Sequence, residues 1–234
     1  HEENVHLHNL VVELKPGKEE AFRAGHEAKH AENYRINSFH LGEGSPKQKF
    51  RANMDAIYTL KTLENQNRDA TPEEQETLAN YVGWGGLADA FDAEKTAWTG
   101  EYKELKAALT EEEYAAARAS TLNAHYTSPT VIRAIYEALD GMGFEKGNIL
   151  EPSMGVGNFF GMLPDSMLGS RLYGVELDSI TGRIAQKLYP QAEIKVAGFE
   201  TTDHRDFYDL AVGNVPFGNY RVSDKPYDKL GFPI

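Results

Sequence analysis

The sequence predicts an α/β fold, with a parallel sheet in the second half of the chain and a small helical domain before it. Apolar residues recur at helical spacing between residues 45 and 120, and capping signals precede two of these helices. After residue 128, short apolar strand candidates alternate with helical stretches, an order typical of parallel sheets with right-handed crossovers. The chain has 234 residues, of which 41% are hydrophobic, and this is enough to build such a core.

The first 44 residues are charged and rich in histidine, and they predict a linker or arm with little structure of its own. Within this arm, residues 10–14 favour a strand and residues 18–33 a short helix. The helix contains His26-Glu27-Ala28-Lys29-His30, which matches the His-Glu-x-x-His pattern of zinc proteases. Because this helix is polar on every side and no third ligand can be assigned, a solvated helix face is preferred and no metal is expected.

Residues 45–120 predict a small all-helical domain. Its first helix is expected over residues 47–63, where apolar residues recur at a spacing near 3.6. These residues are Phe50, Met54, Ile57, Tyr58 and Leu60. A second helix is expected to begin at Thr71, because Thr71 and Glu74 form a capping box around a proline, and to end at Gly83.

The segment at residues 81–87, Tyr-Val-Gly-Trp-Gly-Gly-Leu, is too rich in glycine for regular structure. Its tryptophan and leucine predict a packed turn instead. After it, Thr110 and Glu113 repeat the capping pattern and predict a helix that runs to residue 120.

The second half of the chain, residues 121–234, is predicted to form the sheet domain. A serine cap and a proline, Ser128 and Pro129, start a helix that is expected to reach residue 139. Four strands are then predicted, with helical stretches between the first three. They are expected at residues 148–151, 172–176, 194–196 and 210–213.

A glycine turn follows the first predicted strand. Gly155 and Gly157 permit a tight turn in which backbone approaches a nucleotide-like ligand, and the next helix presents its positive end. Phe160 occupies the place of the third glycine of the nicotinamide fingerprint, so the pattern disfavours a dinucleotide. Glu176 ends the second strand about twenty residues later, where a carboxylate can accept hydrogen bonds from ribose hydroxyls. The alternative is a surface glutamate at a strand end.

The fourth predicted strand is followed by Asn214-Val215-Pro216-Phe217. An asparagine oxygen and a backbone carbonyl that accept the two hydrogens of a planar amino group would make its nitrogen more nucleophilic. A phenylalanine ring could stack on a base extruded from its helix. The alternative is a strand-end turn with a buried phenylalanine.

Residues 151–159 and 214–218 resemble segments of the adenine-N6 DNA methyltransferases, and the resemblance covers residues 121–234. In that family a Tyr-Thr-Pro-like segment contacts the methionine end of S-adenosylmethionine, and residues 126–129, Tyr-Thr-Ser-Pro, match it. The family's Asn/Asp-Pro-Pro-Tyr/Phe motif is represented by Asn214, Pro216 and Phe217, which are the predicted catalytic residues. The resemblance implies a class I methyltransferase Rossmann-like sheet and direct transfer of a methyl group to nitrogen.

The resemblance also implies S-adenosylmethionine as the cofactor. The residues it assigns to cofactor binding lie before the glycine turn, in it, or after the second and third strands: Tyr126, Thr127, Glu151, Pro152, Gly155, Gly157, Phe159, Glu176, Leu177 and Phe199. Two positions depart from the family pattern. Val215 replaces the first proline of the catalytic motif, and Gly198 replaces an aspartate that family members often have before the residue matching Phe199.

These departures favour an alternative, a catalytically inactive module that binds nucleic acid or a partner. A protein glutamine methyltransferase is a further alternative, because such enzymes also combine a small helical domain with an Asn-Pro-Pro-Tyr motif. Residues 41–44, 81–86, 122–129 and 174–178 are in addition similar to methylase-like regions of large helicase-methylase proteins of conjugative elements and phages. That similarity implies DNA and a helicase domain as partners. It also implies a fragment with a truncated sheet, because the family sheet has more strands than the four predicted.

Charge and composition limit the remaining possibilities. The 36 acidic residues outnumber the 24 basic ones, and the net charge of -12 repels phosphate backbones, so contacts with DNA are expected to be local or to lie elsewhere. The sequence contains no cysteine, which excludes a thiolate nucleophile and therefore disfavours methylation of cytosine C5. The absence of cysteine also agrees with the reducing conditions of the cytoplasm, where the protein is expected. No apolar run is long enough to cross a membrane, so no membrane partner is expected.

Overall fold

The computed structural model describes residues 31–37, 42–121, 127–204 and 206–214. The described part of the helical half contains helices α1 (Pro46–Gln66), α2 (Pro72–Ala79), α3 (Thr99–Ala108) and α4 (Glu111–Ser120). Two 3-10 turns, Ala88–Phe91 and Thr96–Trp98, lie between α2 and α3.

The described part of the second half alternates helices with strands. In chain order the elements are α5 (Pro129–Gly141), β1 (Asn148–Glu151), α6 (Asn158–Gly161), β2 (Arg171–Glu176), α7 (Ser179–Leu188), β3 (Glu193–Val196) and β4 (Leu210–Ala211). The strands are parallel and lie in the order β3-β2-β1-β4. The predicted Rossmann-like parallel sheet, preceded by helices, is confirmed.

Side-chain caps explain where the first helices begin. Ser45, Thr71 and Thr110 each accept a hydrogen bond from the backbone three residues later, and the Gln or Glu at that position bonds back. These capping boxes confirm the predicted starts of α2 and α4. Helix α3 was not predicted; among its residues Leu105 alone is buried, so its apolar pattern is weak.

Helix α2 ends earlier than predicted, at Ala79 rather than Gly83. The physical reason is a competing hydrogen bond: the backbone N–H of Val82 donates to the side chain of Asn53 on α1, at 2.8 Å. The predicted strand 210–213 is also shorter, although the N–H of Val212 still donates to the carbonyl of Leu150 at 2.9 Å.

The helical half packs against α7 and shares one hydrophobic core with the sheet. Arg183 on α7 donates to the carboxylate of Glu64 on α1 at 2.9 Å and to that of Glu113 on α4. Lys187, one turn later, donates to the carbonyl of Arg68 at 2.7 Å. The helical half and the sheet half are therefore joined by apolar and ionic contacts, and the domain boundary at residue 120 stays a prediction.

Residues 31–37 are extended and lie against the sheet half. The N–H of Tyr34 donates to the carbonyl of Leu188 at 2.8 Å, and the N–H of Ile36 donates to that of Gly161 at 2.9 Å. The predicted helix over residues 18–33 is therefore wrong for residues 31–33, which are not helical. The predicted strand 10–14 and the segment 26–30 lie outside the described residues.

Across the described ranges, no helix combines the length and apolar character needed to cross a bilayer. The same ranges contain no cluster of three or more histidine or carboxylate side chains placed to hold a metal ion.

Candidate functional site

The strand order reverses between β1 and β4, and open parallel sheets bind ligands at the carboxyl ends of the strands at such a point. Strand β1 ends here at Glu151. After β4 the chain passes close to it, because a Cβ added to Gly213 would lie 3.5 Å from Pro152 Cδ and 3.6 Å from Glu151 Cγ. The structure thus brings the start of the glycine turn next to the residue before Asn214.

The glycine turn depends on two left-handed backbone conformations. Gly155 has a φ of 56° and Gly157 a φ of 84°. At Gly157 a side chain is also excluded by packing, since a Cβ would lie 2.5 Å from Tyr189 Cε2. The turn is fixed to the neighbouring strand by Met154, whose N–H donates to the carbonyl of Val175 at 3.0 Å.

Met154 was not among the predicted site residues, and it explains a glycine in β2. Its side chain is buried, and a Cβ on Gly174 would lie 2.2 Å from the Met154 sulfur. Gly174 therefore leaves the space that the Met154 side chain fills beneath the turn. A pairing between residues so far apart in sequence leaves no local signal.

Glu176, the predicted ribose ligand, holds the turn in place. Its Oε2 accepts a hydrogen bond from the N–H of Gly155, and its Oε1 accepts one from the N–H of Asp178, both at 2.8 Å. Burial raises the pKa of this carboxyl, these two hydrogen bonds lower it, and the charge of Asp178 raises it; the net shift is upward. Because each carboxylate oxygen has a second lone pair, Glu176 can still accept a hydrogen bond from a ligand.

Glu151 is the most unusual group at this edge. Its side chain is 3% exposed, and within the described ranges its Oε2 has no hydrogen-bond partner. Burial raises the pKa of the Glu151 carboxyl well above its usual value, and the nearby carboxylate of Glu176 raises it further. A buried oxygen without a partner is costly, and a ligand that brought a hydrogen-bond donor or a positive charge would remove that cost.

The aromatic and apolar residues predicted for cofactor binding fall into two groups. Leu177 follows β2 with 77% of its surface exposed, and Phe199 follows β3 with 49% exposed. Both are therefore available to a ligand at the carboxyl edge. Phe159 is instead buried in the core, where its ring packs edge-on against that of Tyr136, with 6.1 Å between the ring centroids. Its assignment to cofactor binding stays a prediction.

The remaining predicted residues are placed only in part. Thr127 and Pro152 are half-buried, and Thr127 immediately precedes Ser128, the N-cap of α5. Asn214 is exposed just after β4. Outside the described residues lie Tyr126, Pro216 and Phe217.

A second acidic residue near the turn was also missed. Asp178 caps α7 by accepting hydrogen bonds from the N–H of Thr181 at 2.8 Å and from its hydroxyl at 2.6 Å. A signal for it was present in the sequence, because an aspartate directly before an apolar periodic stretch is a common helix start.

Comparisons with known proteins give partial matches. No protein-family model matches the chain. The chain is 29% identical over 192 residues to "Defense against restriction protein B" of Escherichia phage P1, covering 80% of this chain and 7% of that protein. It is 34% identical over 92 residues to the type II methyltransferase M.CvrRI of Paramecium bursaria Chlorella virus XZ-6E, covering 39% of this chain and 24% of that enzyme. The chain thus spans less than two thirds of either relative.

A solved structure from Listeria monocytogenes, described as a class I S-adenosylmethionine-dependent methyltransferase, is also similar. The match has 12% identity and a TM-score of 0.35, and it covers 74% of this chain and 61% of that one.

Proposed function

We propose that this chain binds S-adenosylmethionine and is part of a methyltransferase that acts on the N6 amino group of adenine in DNA. One observation carries the proposal: a glycine turn, a buried carboxylate oxygen without a partner among the described residues, and the segment that leads into Asn214 lie where the strand order reverses. The similarity to a viral type II methyltransferase supports the methyltransferase class. The sequence resemblance alone supports adenine as the target, and DNA and a helicase domain as partners. A cytoplasmic location is proposed from the absence of cysteine.

The described residues fit such a cofactor. Glu151 offers a buried oxygen that has no partner among the described residues, and S-adenosylmethionine carries a sulfonium and an ammonium group that would favour the ionised form of Glu151. Glu176 is held by two backbone N–H groups in an orientation that leaves lone pairs for ribose hydroxyls. The exposed side chains of Leu177 and Phe199 provide apolar surface for an adenine ring. When bound, the cofactor supplies an electrophilic methyl group on its sulfonium.

On the substrate side, the proposal assigns Asn214 to the amino group. Its amide oxygen would accept a hydrogen bond from the amino group. This bond would reduce delocalisation of the nitrogen lone pair into the ring and leave the lone pair directed at the methyl group. Pro216 and Phe217 complete this part of the proposal on sequence alone. The net charge of -12 offers no general attraction for DNA, so the main phosphate contacts are assigned to other parts of the protein.

Two measurements test the proposal. Calorimetry with S-adenosylmethionine tests binding, and transfer of a labelled methyl group to adenine-containing DNA tests activity. The Asn214→Ala variant should lower transfer by about 100-fold or more while leaving cofactor affinity nearly unchanged, because one transition-state hydrogen bond is removed. Asn214→Asp keeps an acceptor oxygen and serves as the matched variant, which should retain more transfer than alanine. Equal loss of affinity and transfer in Asn214→Ala would contradict the assigned role.

The outcome also separates the two alternatives. Binding without transfer to any substrate would favour a catalytically inactive module, which the replacements at Val215 and Gly198 support. Transfer to protein rather than DNA would favour a glutamine methyltransferase. No binding at millimolar cofactor would refute the proposal for this chain.

A further inference from the structure

Residues 31–37 form an extended strap across the C-terminal ends of the two helices that begin beside the candidate site. Helix α6 begins directly after the glycine turn, and α7 begins soon after β2. The strap bonds to the last residue of each helix. The N–H of Ile36 donates to the carbonyl of Gly161 at 2.9 Å, and the N–H of Tyr34 donates to that of Leu188 at 2.8 Å. One short segment therefore fixes the spacing between the ends of α6 and α7.

The strap also packs on α6 through the side chain of Ile36. A Cβ added to Gly161 would lie 2.7 Å from Ile36 Cδ1 and 2.7 Å from the hydroxyl oxygen of Tyr189, so both side chains rest against this glycine. Tyr189 directly follows α7, and only 1% of its surface is exposed. Gly161 is therefore the point at which the strap, α6 and the end of α7 meet.

Two contacts continue from this point to the glycine turn. The N–H of Gly161 donates to the carbonyl of Gly157 at 3.0 Å, as in a regular helical turn. The ring of Tyr189 also reaches the turn, because a Cβ on Gly157 would lie 2.5 Å from Tyr189 Cε2. Each step from Ile36 to Gly157 is thus a hydrogen bond or a close packing contact.

The helical half holds the strap in place from the other side. The hydroxyl of Tyr34 donates to the carboxylate of Glu76 on α2 at 2.6 Å. The side-chain amide of Gln75, also on α2, donates to the carbonyl of Glu32 at 2.9 Å. The strap therefore links α2 of the helical half with α6 and α7 of the sheet half.

We propose that the strap positions the glycine turn for the cofactor, and that Ile36 is a positioning residue that acts through Gly161 and Tyr189 on Gly157. The inference rests on the proposed cofactor-binding function. Its physical basis is that the turn keeps its shape only while α6 keeps its place beside the end of α7, and the strap bonds to both helices. Because coupling between two sites is reciprocal, a strap that favours cofactor binding is itself held more firmly when the cofactor is bound.

The Ile36→Ala variant tests this, because it removes the side chain that rests on Gly161 and keeps the backbone hydrogen bond. Affinity for S-adenosylhomocysteine, measured by calorimetry, should fall by about three- to tenfold, as expected if about a third to a tenth of the molecules keep a competent turn. Ile36→Val should give a smaller loss in the same direction.

The matched control is Leu105→Val on α3, a helix that packs on α1 and on the 3-10 turns of the helical half. Leu105 is fully buried, so the substitution should lower Tm. It should nevertheless bind S-adenosylhomocysteine as the unaltered protein does, because its contacts lie away from the strap. A loss of affinity in the control equal to that in Ile36→Ala would show that lowered stability alone explains the effect, and would overturn the inference.

Hydrogen exchange in the strap of the unaltered protein is a readout that a purely structural role would not move. Saturating S-adenosylhomocysteine should slow exchange at the N–H groups of Tyr34 and Ile36 by at least the factor by which Ile36→Ala weakens binding. The control is the N–H of Lys95, which donates to the carbonyl of Asp92 at 3.2 Å in an exposed turn of the helical half and should exchange at an unchanged rate. This measurement needs no variant, so it tests the inference even if Ile36→Ala does not fold.

The results separate the inference from the proposed function. If the unaltered protein binds neither S-adenosylmethionine nor S-adenosylhomocysteine, the proposed function fails and this inference fails with it. If the unaltered protein binds, but Ile36→Ala binds equally well or the ligand leaves exchange in the strap unchanged, the inference alone is overturned.

Discussion

Glu151 gives the sharpest prediction, because its buried carboxyl is expected to stabilise the protein only while it is protonated. Its ordinary pKa of 4.5 is raised well above that value in the folded protein, first by burial and then by Glu176. The stability that Glu151 contributes is therefore fully present below pH 4.5 and is lost as the pH rises through its folded pKa. In the Glu151→Gln variant this pH dependence should be absent.

The magnitude follows from linkage. While Glu151 stays protonated in the folded protein and ionised in the unfolded one, each pH unit costs the unaltered protein about 1.4 kcal/mol relative to Glu151→Gln. Over the pH range in which that condition holds, the difference should keep growing at this slope, and each pH unit corresponds to about 3–6 °C in Tm for a chain of this size. Urea unfolding of both proteins at several pH values measures it.

The control for this experiment is Glu145→Gln, since Glu145 is exposed in the loop before β1. That substitution changes an exposed side chain and should change the free energy of unfolding by less than about 0.5 kcal/mol. A difference between the unaltered protein and Glu151→Gln that is equally flat from pH 5 to pH 7 would refute the reasoning.

Three further predictions concern the same edge of the sheet and its support. Affinity for S-adenosylmethionine should rise with pH, by up to about tenfold per unit below the folded pKa of Glu151, because a cationic ligand favours the ionised carboxylate; calorimetry should find no such slope in Glu151→Gln. Gly157→Ala should lower the free energy of unfolding by about 2 kcal/mol or more, since its φ is 84° and the added Cβ would lie 2.5 Å from a Tyr189 ring atom. Gly169→Ala, where the nearest atom is 3.6 Å away, is the control, and equal losses in urea unfolding would contradict this account. Arg183→Met should cost about 1–3 kcal/mol in the same assay, because Glu64 loses its ionic partner and Glu113 keeps only Lys61 as a cation, whereas a loss below about 0.5 kcal/mol would show that this contact is not structural.

Local signals explain why much of the fold could be predicted. The capping residues Thr71, Thr110 and Ser128 set the starts of α2, α4 and α5 through contacts within three residues, so the sequence window contains the whole interaction. Strand β1 occupies the predicted residues 148–151, because its short apolar run, Ile149 and Leu150, is buried in the sheet. The turn glycines Gly155 and Gly157 both adopt the left-handed conformations for which glycine is suited.

Contacts between distant residues explain what could not be predicted. The early end of α2 depends on a hydrogen bond from Asn53, twenty-nine positions before Val82, and periodicity within α2 carries no sign of it. Residues 31–33 are extended because the neighbouring backbone bonds to α6 and α7, although their composition suits a helix.

The sequence by itself determined the alternation of helices and strands, the glycine turn and the identity of the acidic residues at the strand ends, because each of these is a property of a short segment. Only the tertiary structure decided that Glu151 has a buried oxygen without a partner among the described residues, while Glu176 is bound by the turn it follows. Burial and hydrogen-bond pairing are properties of the packed chain, and residues distant in sequence create them together.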